Sequence, residues 1–339
     1  MPSRKPLAFV ALLLAVAGCS QPAKQGSTPA AGAFPVGLVF DIGGRGDKSF
    51  NDAAYAGLQK AQQDLGIRFS TLETSEGSDR EAQLRQLASG DSKLVFGVGF
   101  LFTDDVRALA KEFPDKKFAC IDYTVTPGDT LPPNLVALKF REEEGSFLVG
   151  ALAALLTKTN KVGFVGGMEI PLIKKFQAGF VAGAKAANPN VQVLIKYAGT
   201  TGAAFKDPTK GKELALAEYH AGADIIFHAS GSTGLGVFEA ARELKKLAIG
   251  VDSDQYDEAP GVVLTSMVKR VDTAVFDTIK ETKDGQWRNG VRDFGLAEHG
   301  VTWVYDDRNK ALIPDAVKAR VDSLQALIVA GTLHVPTEP

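Results

Sequence analysis

Buried strands and amphipathic helices alternate along this chain, and the alternation occurs twice in succession. The first series predicts five strands, beginning with the apolar run Val36–Ile42 and ending with Asn134–Phe140. A long helix at Glu142–Thr157 opens the second series, whose strands include Lys161–Gly166 and Lys246–Val251. Such alternation is typical of a doubly wound α/β domain with a parallel sheet. The sequence therefore predicts an α/β protein with two doubly wound parallel-sheet lobes and a cleft between them, which a length of 339 residues accommodates.

The N-terminus predicts export and a lipid anchor. Two basic residues precede an apolar run at Leu7–Ala17, which is typical of a signal peptide, here residues 1–18. The run is too short to remain as a membrane-spanning helix. The sequence VAGC around Cys19 resembles a bacterial lipobox, which implies that Cys19 is lipidated and becomes the first mature residue. The Pro-, Gly- and Ser-rich residues 19–33 predict a flexible tether, and the folded part is expected from Phe34.

Composition and spacing argue against several classes of function. A net charge of −2 gives no basic surface for a nucleic acid polymer. With Cys19 assigned to the anchor, Cys120 is expected to be an inert core residue, and no disulfide framework is possible. The four histidines lack metal-ligand spacing, and no Ser-His-Asp order or Cys/His pair indicates nucleophilic catalysis. We therefore expect a protein that is not an enzyme and holds no metal.

A buried strand, a Gly-rich loop and a helix follow one another in Leu38–Ala61. The glycines of the GGRG loop permit close approach of the backbone to a neighbour. Ser49 or Asp47 is the expected N-cap of the helix. Phe50 lies at this polar junction, where an aromatic ring either contacts a ligand or packs the start of the helix against the sheet.

Polar and aromatic residues recur at or just beyond the predicted strand ends. In open α/β sheets ligands bind outside the carboxyl ends of the strands. The candidate ligand-binding residues are therefore Asp41, Phe50, Asn51, Asp122, Phe176, Phe205, Gly231, Asp252 and Lys269.

Three of these positions suggest what kind of ligand fits. Phe205 lies in a second Gly-containing loop, so Phe50 and Phe205 can stack a flat ring between the lobes, worth about 1–3 kcal/mol per base. Asp252 can accept hydrogen bonds from vicinal sugar hydroxyls, or it can cap the following turn. Asp254 and Gln255 are interpreted as turn residues. Phe176 is either a further ligand contact or helix core.

The segment Gly231–Gly236 imitates a dinucleotide fingerprint. Its glycines follow the spacing G-x-x-G-x-G instead of G-x-G-x-x-G, and the segment lies late in the chain. Its N–H groups at a helix N-terminus can still bind a hydroxyl or an anion. We therefore predict no nucleotide cofactor.

Five segments together resemble the basic membrane protein family of ABC-transporter substrate-binding lipoproteins, which includes bacterial purine nucleoside receptors. They are DIGGRGDKSFND (41–52), GGMEIPLIKKFQAGF (166–180), ASGSTGLGVFEAA (229–241), IGVDSDQ (249–255) and LTSMVKR (264–270). The resemblance implies a type I periplasmic-binding-protein fold with three hinge crossovers. We place them near Leu138–Arg141, Ser266–Val271 and Leu296–Trp303.

The same resemblance implies lobe boundaries and residue roles. The N-terminal lobe would comprise residues 34–139 plus 270–297, and the C-terminal lobe residues 140–269 plus 298–339. It implies that Phe50 and Phe205 stack on the base and that Asn51 contacts the base. Asp41 and Asp122 would line the first lobe. The Gly231 backbone, Asp252 and Lys269 would bind the ribose hydroxyls. Lys269 is also expected to pair with Asp252 in the closed state, or else to lie on the surface.

The function implied is that of a monomeric, lipid-anchored receptor outside the cytoplasm. It would capture a nucleoside, expected to be a purine, and deliver it to an ABC permease without any cofactor. A sugar or autoinducer receptor of the same fold, a signalling lipoprotein without a permease, and a nucleoside-acting hydrolase remain as alternatives.

Overall fold

The computed structural model describes Met1, residues 32–74 and residues 78–339. Residues 2–18 of the predicted signal peptide, the predicted lipidation site Cys19 and the tether up to residue 31 lie outside the described residues. The described strands are β1 (Pro35–Phe40), β2 (Arg68–Glu73), β3 (Leu94–Val98), β4 (Lys117–Ile121), β5 (Leu135–Phe140), β6 (Lys161–Met168), β7 (Gln192–Gly199), β8 (Ile225–Ala229), β9 (Leu247–Asp252), β10 (Val263–Lys269), β11 (Gly290–Phe294) and β12 (Val301–Trp303).

The helices lie between these strands, as the alternating pattern predicts. They are α1 (Phe50–Leu65), α2 (Arg80–Ser89), α3 (Thr103–Glu112), α4 (Glu142–Leu156), α5 (Pro171–Ala187), α6 (Pro208–His220), α7 (Thr233–Leu244), α8 (Val271–Lys283) and α9 (Asp315–Val329). Short 3-10 turns, such as Gly202–Phe205, complete the connections.

Two six-stranded sheets organise these elements into two lobes. The first sheet has the strand order β11-β5-β4-β3-β1-β2 and is parallel throughout. The second has the order β12-β10-β9-β8-β6-β7, in which only the edge strand β12 is antiparallel. The chain passes between the sheets after β5, after β10 and after β11. The predicted α/β architecture with three crossovers is confirmed.

Helices cover both faces of each sheet, so the inner strands are apolar on both sides. Every residue of β1, β3 and β8 is buried, whereas the edge strands β2 and β7 are only half-buried. Helix α8 returns to the first lobe and packs on α1, and α9 packs on α4 in the second lobe. Strands β11 and β12 and helix α9 were not predicted from the sequence as separate elements. Strand β11 has the polar pattern GVRDF of a sheet edge, and β12 has only three residues.

Helices α4 and α5 pack unusually close because glycines lie at their contact. A Cβ atom at Gly183 would lie 1.9 Å from the carbonyl oxygen of Phe147, and one at Gly179 would lie 2.1 Å from that of Glu143. Both distances are far inside van der Waals contact. The contact fixes the N-terminus of α4, which begins with Glu142 directly after the first crossover and faces the cleft.

We expect Gly183→Ala to destabilise the protein by about 1–3 kcal/mol, the usual cost of overpacking. Helix propensity alone would favour alanine by about 1 kcal/mol, so the sign of the effect reports the close approach. Urea unfolding followed by circular dichroism measures it. Gly90→Ala is the control, because a Cβ there meets its nearest atoms at 3.5 Å. Equal stability of the two variants would contradict the packing described.

Candidate functional site

All nine predicted candidates line one cavity between the lobes. From the first lobe, Asp41 follows β1, Asp122 follows β4, and Phe50 and Asn51 begin α1. From the second lobe, Gly231 follows β8, Asp252 ends β9 and Lys269 ends β10. Phe176 lies on α5, and Phe205 ends the 3-10 turn before α6. The strands deliver these side chains because both sheets direct their carboxyl ends towards the cleft. The cavity has a volume of about 70 Å³, which is room for a few water molecules in this arrangement of the lobes.

The first turn of α1 is held by Asp47, which also lines the cavity. Its carboxylate accepts hydrogen bonds from the backbone N–H groups of Ser49, Asn51 and Asp52 at 3.0, 2.8 and 3.1 Å. Of the two expected capping residues, Asp47 is therefore the one that caps. The Ser49 hydroxyl does not cap the helix but donates across the cleft to Oδ2 of Asp252 at 2.5 Å.

Asn51 is tied into the same loop. Its Oδ1 accepts from the backbone N–H of Asp41 at 2.9 Å, and its Nδ2 donates to Oδ2 of Asp47 at 3.1 Å. An amide side chain has two N–H donors and two acceptor lone pairs. One donor and one lone pair of Asn51 thus remain for a ligand, and the other two hold the loop in shape.

Asp41 and Asp252 are buried carboxyls with few hydrogen-bond donors. Burial raises the pKa of each to about 7, because the charged form loses its hydration. Each accepts one close hydrogen bond, from the N–H of Ile42 at 2.7 Å and from the hydroxyl of Ser49 respectively. Asp252 also has a left-handed backbone with φ of 64°, a costly conformation for a non-glycine residue that is typical of functional sites. Both groups can accept further donors from a ligand.

Lys269 is a buried ammonium that joins the two lobes. Its Nζ lies 2.6 Å from Oδ1 of Asp122 in the first lobe and 3.0 Å from Oε1 of Glu142 at the start of α4. Burial would lower the pKa of Lys269, but the carboxylates of Asp122 and Glu142 outweigh it and raise that pKa above its usual range. The expected pairing with Asp252 is wrong in its partner, since the close ion pairs are with Asp122 and Glu142.

Three phenylalanine rings surround this ammonium. The Nζ atom lies 5.0 Å from the ring centroids of Phe50 and Phe140 and 5.8 Å from that of Phe176. These distances allow cation–π attraction. Phe176 is buried in the helix core and also lines the cavity, so it is core and remains a candidate ligand contact.

Phe205 is positioned by glycine backbones in the second lobe. A Cβ at Gly167 would lie 2.2 Å from its ring, and a Cβ at Gly231 would lie 2.8 Å from its carbonyl oxygen. That carbonyl also accepts a hydrogen bond from the Ser232 hydroxyl at 3.1 Å. The half-buried ring is thus fixed on the opposite side of the cleft from α1.

The sequence pattern did not indicate Glu142 and led to a wrong interpretation of Gln255. Glu142 is the first of three successive glutamates that are all buried, and only the fold reveals that this one pairs with Lys269. Gln255, interpreted as a turn residue, is 1% exposed and hydrogen-bonded to both lobes. Asp254 is exposed and pairs with Arg308, as expected for a turn. Cys120 is fully buried in the core, as predicted.

Among the described residues, no group of three or more His, Cys, Asp or Glu side chains is arranged to hold a metal ion. None of the helices in residues 32–74 and 78–339 is long and apolar enough to cross a membrane.

Two α/β lobes with three crossovers and an acidic, aromatic cavity between them define a two-lobed solute receptor. The sequence profile of the Bmp family, described as ABC transporter substrate-binding protein PnrA-like, matches residues 34–338. The chain belongs to this family and is an ABC transporter substrate-binding protein, not an enzyme. The predicted family is confirmed.

Relatives and a solved structure agree with this assignment. The chain is 37% identical to the CD4+ T-cell-stimulating antigen of Listeria innocua, over 97% of this chain and 95% of that protein. It is 33% identical to the ABC transporter nucleoside-binding protein BmpA of Lactococcus lactis, over 98% and 97%. A solute-binding protein of an ABC transporter system from Aeropyrum pernix is similar with a TM-score of 0.80 and 28% identity, over 90% and 93%. The predicted type I periplasmic-binding fold is confirmed.

Proposed function

We propose that this protein captures a purine nucleoside between its two lobes and delivers it to an ABC permease. The observation that carries the proposal is the combination of facing phenylalanines with buried carboxyls that have few donors. A nucleoside matches both features, since its flat base can stack on the phenylalanines and its hydroxyls can donate to the carboxyls. The relative from Lactococcus lactis, a nucleoside-binding protein by name, supports the same ligand class.

The aromatic residues favour a base over a free sugar. Phe50 and Phe205 lie on opposite lobes and are both half-buried, so each ring keeps a face for a ligand. Stacking on such rings is worth about 1–3 kcal/mol per base. A purine offers the larger flat surface of the two base classes, which is why we propose a purine.

The charged residues favour an uncharged ligand over a phosphorylated one. Among the described residues of the cavity, the carboxyls are Asp41, Asp47, Asp122 and Asp252, and the only cation is Lys269. That ammonium is already paired with two carboxylates. A phosphate would add negative charge to this setting and meet no free cation, whereas ribose hydroxyls would donate to Asp252.

The location follows from the N-terminal sequence and from the family. We propose that lipidation at Cys19 holds the receptor outside the cytoplasm, with residues 19–33 as the tether. Since one acyl chain binds membranes only marginally, stable anchoring would require more than one. We also propose that the lobes have the boundaries given above and that the receptor acts as a monomer.

Calorimetric titration tests the ligand. Inosine, guanosine and adenosine are expected to bind, with uridine weaker, and the 5′-monophosphates and ribose at least tenfold weaker than the best nucleoside. Tight binding of a free sugar with none of any nucleoside would refute the proposal and favour a sugar receptor. Conversion of a nucleoside to base and ribose would indicate a hydrolase.

Removal of one stacking ring tests the geometry of the site. We expect Phe205→Ala to weaken nucleoside binding about 10- to 100-fold, the equivalent of about 1–3 kcal/mol. Phe276→Ala is the matched control. Phe276 lies on α8 and is equally half-buried, but it packs beside Lys60 of α1, outside the cavity. Unchanged affinity in Phe205→Ala would remove this ring from the site.

A further inference from the structure

A row of hydrogen bonds joins the lobes at one side of the cavity, each running directly from one protein group to another. On the first lobe the row uses the backbone carbonyls of Lys48 and Ser49 and the hydroxyl of Ser49, directly before α1. On the second lobe it uses residues 251–255, at and after the end of β9. Apart from the short bond between Ser49 and Asp252, Oγ of Ser253 donates to the carbonyl of Ser49 at 3.2 Å.

Gln255 contributes a further bond of the row from a buried side chain. Its Nε2 donates to the backbone carbonyl of Lys48 at 3.0 Å, across the cleft. The backbone of Lys48 is left-handed, with φ of 58°, and its N–H donates to Oδ2 of Asp52 at 3.1 Å within the first lobe. Because the bond from Gln255 joins groups of the two lobes, it exists only while the lobes are closed.

The second lobe fixes the orientation of the Gln255 amide before the lobes meet. The backbone N–H of Val251, which can only donate, lies 2.8 Å from Oε1 of Gln255. Oε1 therefore points into the second lobe and the Nε2 donor points at Lys48. Nε2 of His228 also lies 3.0 Å from this Oε1, so His228 must carry its proton on Nε2.

His228 is suited to this task because it stays neutral. It lies on β8 and is fully buried, and burial lowers its pKa to about 4. Its other ring nitrogen, Nδ1, is then an acceptor and lies 3.4 Å from the Ser230 hydroxyl. The histidine thus holds Gln255 from behind, away from the cavity.

We propose that these contacts form a latch that stabilises the closed lobes in the absence of ligand, with Gln255 and His228 as its positioning residues. The latch sets what fraction of the empty receptor is closed, and so it scales the apparent affinity for any ligand. It also places the hydroxyl of Ser49 on Asp252, the carboxyl to which we assign the sugar. Because the latch requires only the substrate-binding role of the family, its test and the test of the nucleoside can fail separately.

Gln255→Glu is the sharpest variant, because it keeps the shape of the side chain. A carboxylate can still accept from Val251 and His228, but it cannot donate to the Lys48 carbonyl and instead repels it. Gln192→Glu is the matched control, since it makes the same change of charge at an exposed residue of the second lobe. Gln192 lies at the start of the edge strand β7 and takes no part in the latch.

The interlobe distance in the ligand-free protein is the direct measurement. Spin labels at Asp104→Cys and Glu213→Cys, exposed positions on the first and second lobes, report it by double electron–electron resonance in a Cys19→Ser background. Cys120 is fully buried, and burial raises its pKa, so it does not take up a label. Inosine titrated into the same samples gives the apparent affinity.

Gln255→Glu is expected to shift the ligand-free distance distribution to longer values and to weaken inosine binding at least fivefold, whereas Gln192→Glu leaves both unchanged. Ser49→Ala, which removes the bond to Asp252, is expected to lengthen the distance as well and serves if Gln255→Glu does not fold, as judged by circular dichroism. Unchanged distances in the folded latch variants would overturn the proposal, as would an equal lengthening in Gln192→Glu. If no nucleoside binds but the distances shift as stated, the result supports the latch and refutes the proposed ligand.

Discussion

Replacement of Lys269 by methionine is expected to destabilise the protein by about 3–5 kcal/mol, the cost of removing one partner from a buried ion pair. Methionine preserves most of the side-chain length and the contact with the surrounding phenylalanine rings, so the effect reports the lost charge. Asp122 would lose its close cation, while Glu142 would keep Lys175 at 2.6 Å. Urea unfolding at pH 8 measures the change, and nucleoside titration should show at least tenfold weaker binding.

Two further variants make this result specific. Lys280→Met removes an exposed ammonium that pairs with Asp284 one helical turn away, and it should change stability by less than about 0.5 kcal/mol. Adding Asp122→Asn to Lys269→Met should restore part of the lost stability, because no uncompensated carboxylate then remains at that position. A loss of similar size in the exposed and buried variants would contradict the role given to the Lys269 pair.

The residues at the strand ends were predictable because one physical rule covers them. Once β1, β4 and β9 are assigned from their apolar runs, the parallel arrangement places Asp41, Asp122 and Asp252 at the same edge of their sheets. The aromatic residues at the two loop-to-helix junctions could be found for the same reason. This part of the site needed no knowledge of side-chain contacts.

The partners of these residues were not predictable, because they depend on how the two lobes meet. Lys269 selects Asp122 and Glu142 rather than Asp252, and the sequence distance between Lys269 and either residue gives no hint of it. Gln255 has the composition of a turn around it, so its burial against the other lobe is invisible to local patterns. The helix α9 is a different case, since its buried Val321, Leu324 and Ile328 have helical spacing and could have been recognised.

Lowering the pH from 8 to 5.5 is expected to stabilise the ligand-free protein and to weaken nucleoside binding. Burial raises the pKa of Asp41 and of Asp252 to about 7 in the folded protein, against 3.8 for an ordinary aspartate. Between these values the folded state binds more protons than the unfolded state, so the free energy of unfolding rises as the pH falls. Each carboxyl contributes at most about 1.4 kcal/mol per pH unit.

The ligand has the opposite preference, which is why the two measurements should move in opposite directions. Hydroxyl groups that donate to a carboxylate favour its ionised form, so binding below pH 7 must release protons. Affinity should then fall up to about tenfold per pH unit for each proton released. Calorimetry in two buffers with different ionisation enthalpies counts those protons directly.

Asp252→Asn separates the two carboxyls, because asparagine cannot titrate and leaves only Asp41 to respond. The variant should bind the nucleoside more weakly at pH 8, and its affinity should depend less steeply on pH than that of the unaltered protein. Its free energy of unfolding should also rise less as the pH falls, since one of the groups that bind a proton on folding is gone. An affinity that is independent of pH between 8 and 5.5 in the unaltered protein would show that neither carboxyl meets the ligand in its ionised form. The acidic cavity would then act through shape alone, and the preference for hydroxyl donors would have to be abandoned.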